Sequence, residues 1–208
     1  MIAASGLRSF QAGFRPPRSR ASRSALLKWA QRQPLSNSFS PGCGAEAAAS
    51  LSLRVPEEEW TVPDGLQGDY TELLSRDCGD FVVRRADGVY AYQLAVSVDD
   101  MLMGVTRVVR GRDLLSSAPR QKWLIETLGG TAPDYCHCPL LTGGQGKLSK
   151  RLGSLSTQVL RKEKRPEEVV GQLAFLCGLT ERCEPVAARE LVPAFSWAKV
   201  KKEDILIE

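Results

Sequence analysis

The residues of this chain best suited to chemistry lie in one short run, Gly143-Gly144-Gln145-Gly146-Lys147-Leu148-Ser149-Lys150-Arg151. Its glycines give the segment mobility. Lys147 and Lys150 set two ammonium groups three residues apart, with Ser149 between them. Mobile cations of this kind suit charge that develops on a transferring phosphate. The run is not a Walker A loop, because Gly146-Lys147 is followed by Leu148 and position 141 is leucine. By spacing alone, Lys-x-x-Lys also fits a solvated basic turn. Cys136-His137-Cys138 invites a metal reading, but zinc needs four ligands and His137 is the only histidine of the chain. Cys43 and Cys78 stand alone, and Cys177 and Cys183 are not a Cys-x-x-Cys pair. These spacings favour a buried strand over a zinc site. Asp99 and Asp100 form an adjacent carboxylate pair that tempts a catalytic-dyad reading.

The elements that must position these residues follow from periodicity. Leu51, Leu53 and Val55 alternate with polar residues and predict a strand ending before Pro56. Residues 57–68 read as an acidic, turn-rich stretch. Residues 81–85 predict a strand, Ala86-Asp87-Gly88 a hairpin turn, and 89–92 the returning strand. A short apolar run, 93–100, closes on the two carboxylates. The β-branched run 105–109 predicts a buried strand, followed by a turn at 111–113. Ser116 or Ser117 is placed to cap a helix running to Leu128, with Gly129-Gly130 as its stop. Residues 133–141 predict another strand. Strand, helix, strand at this length predicts a βαβ unit with parallel strands. The lysine loop then follows the strand's carboxyl end, where ligands bind in an open sheet. Beyond it lie a helix from Pro166 to Gly178, a second over 187–195, and a last short segment at 201–207.

Composition bounds the rest. The chain has 208 residues, 43% apolar and 25% charged, ordinary globular usage that can bury a core. No stretch approaches the roughly 18 apolar residues of a membrane span. The formal charge of +4 is unevenly spread. Residues 1–45 hold seven basic residues and no acid, so residues 46–208 carry 21 basic and 24 acidic groups, a balance of −3. This first segment, with eight serines and four prolines, reads as a disordered basic leader or as an organellar transit peptide. It has no apolar core of the secretory type, so disulfides are not expected.

Several runs together resemble class I glutamyl-type aminoacyl-tRNA synthetases. The likeness covers 81–100, including Arg84-Arg85-Ala86-Asp87-Gly88-Val89-Tyr90-Ala91-Tyr92-Gln93, and 104–115, including Thr106-Arg107-Val108-Val109-Arg110-Gly111. It continues through Pro133-Asp134-Tyr135-Cys136-His137-Cys138-Pro139-Leu140, and Lys147-Leu148-Ser149-Lys150-Arg151 resembles the family's Lys-Met-Ser-Lys-Ser signature. Asp64-Gly65-Leu66-Gln67-Gly68 is similar to an insertion segment of the same family. Within the family the length is nearest the short glutamyl-Q type, which glutamylates queuosine in tRNA(Asp) and has no anticodon-binding domain.

The resemblance implies an α/β fold: a partial Rossmann-like class I core over 46–151 behind the 1–45 leader, then a small α-helical module over 152–208. It implies ATP- and Mg²⁺-dependent activation of L-glutamate and transfer to tRNA, either queuosine-containing tRNA(Asp) or glutamate tRNA. Lys147, Ser149 and Lys150 would hold ATP, with Lys147 and Lys150 catalytic. Tyr92, at a strand-to-helix turn, would contact glutamate. Arg110 would pair with the side-chain carboxylate, which a guanidinium fork matches. The alternatives are core packing for Tyr92 and an ion pair with Asp113 or Asp99 for Arg110. His137 would be a strand residue near the nucleotide pocket, structural in role. The His-Ile-Gly-His-like signature and most of the zinc knuckle have no counterpart here, with Cys43 at most a remnant ligand, so zinc is not expected. The alternative reading is a truncated, inactive fragment or a tRNA-binding remnant. A cytoplasmic location is expected, or an organellar one if residues 1–45 are a transit peptide, and no membrane association.

Overall fold

The computed structural model describes residues 50–143, 146–147 and 157–207. In chain order these form β1 (Leu51–Leu53), β2 (Glu59–Asp64), β3 (Gly68–Leu73), a single turn α1 (Leu74–Asp77), β4 (Phe81–Arg84) and α2 (Tyr92–Met103). Then come β5 (Arg107–Gly111), a 3-10 segment Arg112–Ser117, α3 (Ala118–Thr127), β6 (Asp134–Cys138), β7 (Leu141–Gly143) and β8 (Gly146–Lys147). The chain continues through α4 (Thr157–Glu163), α5 (Pro166–Leu176), α6 (Ala188–Leu191) and β9 (Ile205–Leu206). Three sheets result: β1 with β4, the order β3-β2-β6-β5, and the order β8-β7-β9. No helix among the described residues is long and apolar enough to cross a membrane.

The fold divides into two compact units. In the first, of which residues 50–63, Asp69–Val108 and Ser116–Tyr135 are described, the core gathers Leu53, Val55, Leu74, Val83, Leu94, Val98, Trp123, Leu124 and Leu128. β1 pairs antiparallel with β4, Leu53 opposite Phe81. α2 offers Leu94, Val98, Met101 and Leu102 to this core at helical spacing. It ends at Gly104, whose φ of +68° is the left-handed cap that a side chain would strain. The buried Gln121 amide donates to Gln93 Oε1 (2.7 Å), and Gln93 Nε2 donates to the Ser117 hydroxyl (3.1 Å).

Of the second unit, Asp64–Gly68, Val109–Leu115 and residues 136–143, 146–147 and 157–207 are described. Leu66, Cys136 and Val200 form its small core, with Leu179 and Trp197 packed alongside. β7 pairs antiparallel with β8, Thr142 opposite Lys147, and parallel with β9, Leu141 opposite Ile205. Asp204 secures this arrangement: Oδ1 accepts from the Leu140 amide (2.9 Å) and Oδ2 from Arg112 (2.8 Å).

Several local expectations change. Residues 57–68 contain a strand, β2, because Trp60, Val62 and Asp64 alternate inward beneath an acidic, proline-bearing outer set. The strand expected over 105–109 lies at 107–111 as the edge of its sheet, so Val109 is 53% exposed rather than buried. The returning strand at 89–92 shrinks to one bridge, Arg84 with Tyr90, since Tyr92 already begins α2. Pro139 interrupts the strand expected over 133–141, leaving β6 and β7 on either side. Ser117 does precede α3 but has helical backbone angles, and its hydroxyl serves Gln93 instead of the helix end.

Candidate functional site

Arg110 stands one residue from the end of β5 and is half-buried. Its Nε donates to His137 Nε2 (2.9 Å), and Nη2 donates to the Leu114 carbonyl (3.2 Å). His137, one residue from the end of β6, is fully buried. Its Nδ1 lies 2.6 Å from Asp64 Oδ2. Its backbone N–H donates to the same carboxylate, at 3.2 and 3.1 Å from the two oxygens. Asp64 closes β2 and folds its own turn: Oδ1 accepts from the amides of Leu66 (2.9 Å) and Gln67 (2.8 Å), the Asx-type bonding that aspartate favours. Gln67 Nε2 returns to the His137 carbonyl (2.9 Å). The result is a carboxylate–imidazole–guanidinium chain within one unit.

The electrostatics of this chain are set by which groups can only donate and which can only accept. Burial pushes the Asp64 carboxyl up, but bonds from the Gln67 amide, the His137 ring and the Leu66 and His137 amides outweigh it and hold the group below its ordinary value. Asp64 is therefore an acceptor-only carboxylate. Burial pushes His137 down, and the Arg110 charge adds to that; the pull of Asp64 and of the Leu114 carbonyl does not reverse it. The imidazole is neutral and carries one proton. A guanidinium has no acceptor, so Nε2 must present its lone pair to Arg110. The proton then sits on Nδ1, facing Asp64. The Leu114 carbonyl would favour the other tautomer, but that would set two N–H groups against each other and two carboxylate lone pairs against a bare nitrogen. The charged neighbours decide.

The remaining candidates lie elsewhere. Tyr92 is the first residue of α2, in the other unit, and is 54% exposed, so core packing is not its role. Lys147 pairs with Thr142 in the β7–β8 hairpin. Ser149 and Lys150 lie outside the described residues, as does Cys43. Asp99 and Asp100 sit half-buried on α2. Cys136 is 2% exposed on β6, the buried-strand position expected of it. No group of three or more His, Cys, Asp or Glu that could hold a metal ion occurs among the described residues.

His137 lies buried on the strand expected of it, in a structural setting. Asp64, which sequence reasoning notes only for the likeness of its segment to an insertion, is the member of the site it misses. The one signal available is the chain's only histidine, set on a strand expected to be buried. Its partners lie 27 and 73 residues away in the chain.

A family model described as tRNA synthetases class I (E and Q), catalytic domain, matches residues 20–206, beginning inside the acid-free segment. A glutamyl-Q tRNA(Asp) synthetase of Symbiobacterium thermophilum is 47% identical over 160 residues, 76% of this chain and 49% of the relative. One of Chromobacterium violaceum is 59% identical over 113 residues, 53% of this chain and 38% of the relative. The chain thus spans about half, or less, of the length of these curated relatives. Among solved structures, a glutamate tRNA ligase from Elizabethkingia meningosepticum, crystallised with its amino acid, matches with a TM-score of 0.66 at 23% identity. That match covers 91% of this chain and 39% of the other, and it shows a shared mixed α/β fold.

Proposed function

Because the chain belongs to the class I glutamyl and glutaminyl tRNA synthetase catalytic-domain family, we propose that it activates L-glutamate with ATP and passes it to a tRNA. In the first step an oxygen of the glutamate α-carboxylate attacks the α-phosphorus of ATP and pyrophosphate leaves, giving glutamyl-adenylate. In the second an acceptor hydroxyl attacks the acyl carbon and AMP leaves. The names of both relatives support queuosine-containing tRNA(Asp) as acceptor.

The observation that carries this reading is Arg110. It lies near the end of a strand, fixed at Nε by His137 and at Nη2 by Leu114. A guanidinium held this way matches the side-chain carboxylate of glutamate and disfavours the neutral amide of glutamine. Tyr92, exposed at the start of α2, belongs to the proposal through the family resemblance alone. Lys147, Ser149 and Lys150 belong to the proposal as the ATP phosphate grip, the two ammonium charges opposing that building up on the displaced pyrophosphate and the hydroxyl donating a hydrogen bond. Magnesium would arrive with the nucleotide and offset phosphate charge. The described residues include no acidic cluster to hold it, so no step is assigned to it. The divisions at residues 45 and 151, and a cytoplasmic or organellar location, belong to the same proposal.

The test is pyrophosphate exchange into ATP by the purified chain. It should depend on L-glutamate and not on L-glutamine. Arg110→Gln should reduce glutamate-dependent exchange about a hundredfold or more, the scale for removing one partner of a desolvated charge pair. Equal exchange with glutamine, or none with either and no glutamate binding, would refute the reading. Charging tRNA(Asp) with and without queuosine then identifies the acceptor.

A further inference from the structure

The reactive end of Arg110 is only as well aimed as the groups behind it. A guanidinium on a three-carbon stem has several rotamers, and choosing one costs free energy at the moment of binding unless the fold has already chosen. Here it has. Nε is spoken for by His137 and Nη2 by Leu114. The imidazole cannot rotate away, because Asp64 holds its opposite nitrogen at 2.6 Å and also receives the His137 backbone N–H. Asp64 is itself fixed by the amides of Leu66 and Gln67. Every link thus ends on backbone.

We infer that Asp64 and His137 are positioning residues that pre-set Arg110 for the side-chain carboxylate, and so set selectivity for glutamate over glutamine; this rests on the reading of Arg110 proposed above. The tautomer is the core of it. With the proton on Nδ1, His137 presents a lone pair to Arg110 and orients the guanidinium without adding positive charge. A histidine protonated at Nε2, or at both nitrogens, would push the Arg110 N–H away. The carboxylate at the far end therefore acts on substrate choice through two hydrogen bonds and without touching substrate.

The chain's single histidine makes the test direct. In the full-length protein labelled with nitrogen-15 histidine, the ring spectrum comes from His137 alone. At neutral pH without ligand it should show a proton on Nδ1 and a bare Nε2. A proton on Nε2 overturns the inference. Asp64→Asn should then raise the Kd for L-glutamate about tenfold, the effect of loosening one charge-assisted hydrogen bond, with the Kd for ATP unchanged. His137→Gln can place an amide oxygen where Nε2 accepts, and His137→Leu cannot. Glutamate-over-glutamine selectivity should accordingly survive better in the glutamine variant. If wild type prefers glutamate and all three variants keep that preference in full, the inference fails and the function stands. If wild type binds neither amino acid, the function fails with it, while the ring spectrum still reports whether the Asp64–His137–Arg110 chain forms.

Discussion

His137 is held neutral inside the protein, and this has a consequence for stability. Its folded pKa lies below the ordinary value of 6.5, with burial as the largest cause. As pH falls below 6.5 the unfolded chain therefore takes up a proton before the folded one does, and stability declines. Above that value both states are neutral and the contribution is complete. Asp64 has the same sign, since its folded pKa is also lowered, and it adds a second decline below 3.8. The denaturant midpoint should thus fall between pH 7.5 and 5.5, and His137→Gln should flatten that slope. A slope unchanged in the variant would show that other groups produce it.

At the scale of the elements, two contacts in the second unit decide how its helices and its C-terminal strand are held. Gly171, on α5, packs directly on the backbone carbonyl of Glu184, and a Cβ there would overlap that oxygen. Gly→Ala in a helix normally gains about 1 kcal/mol. Overpacking against a backbone atom that cannot swing aside costs about 1–3 kcal/mol. The clash should prevail, so Gly171→Ala should lower the thermal midpoint; a raised midpoint would contradict the packing. Asp204 ties the Leu140 amide and Arg112 beside β9. Asp204→Ala should speed hydrogen exchange at Leu140 and at the Ile205 and Ile207 amides, which donate to Leu140 and Thr142. The amides of α2 should be unaffected. These contacts also explain what periodicity could reach. Whereas α2 reads in sequence only as a short apolar run, α3 and α5 reveal their inward faces every three or four residues. β2 does not, because Pro63 and Glu59 on its outer face mask the inward Trp60, Val62 and Asp64.

For the whole molecule, charge is the property that sequence reads most directly. The +7 of residues 1–45 outweighs the −3 of residues 46–208. If RNA is bound, the basic segment should supply much of its electrostatic attraction. Deleting residues 1–45 should weaken tRNA binding and flatten its dependence on salt, measured by fluorescence anisotropy between about 50 and 200 mM, where each phosphate contact adds close to one unit of slope. An unchanged slope would assign the contacts to residues 46–208. The sequence by itself determined the family, through the order of its motifs. It also determined the hairpin turn at Asp87-Gly88, the helix stop after Leu128 and a strand over 105–109, which the structure shifts by two residues so that it carries Arg110. These depend on neighbours a few residues apart, whose types bias φ, ψ and burial locally. Only the tertiary structure decided that Val109 faces out at a sheet edge, that the returning strand shrinks to one bridge, and that Asp64 and His137 stand behind Arg110. Those outcomes depend on which strands lie side by side. Hydrogen bonds spanning 27 and 73 residues require β2, β6 and β5 to be neighbours in one sheet, and no local pattern records that order.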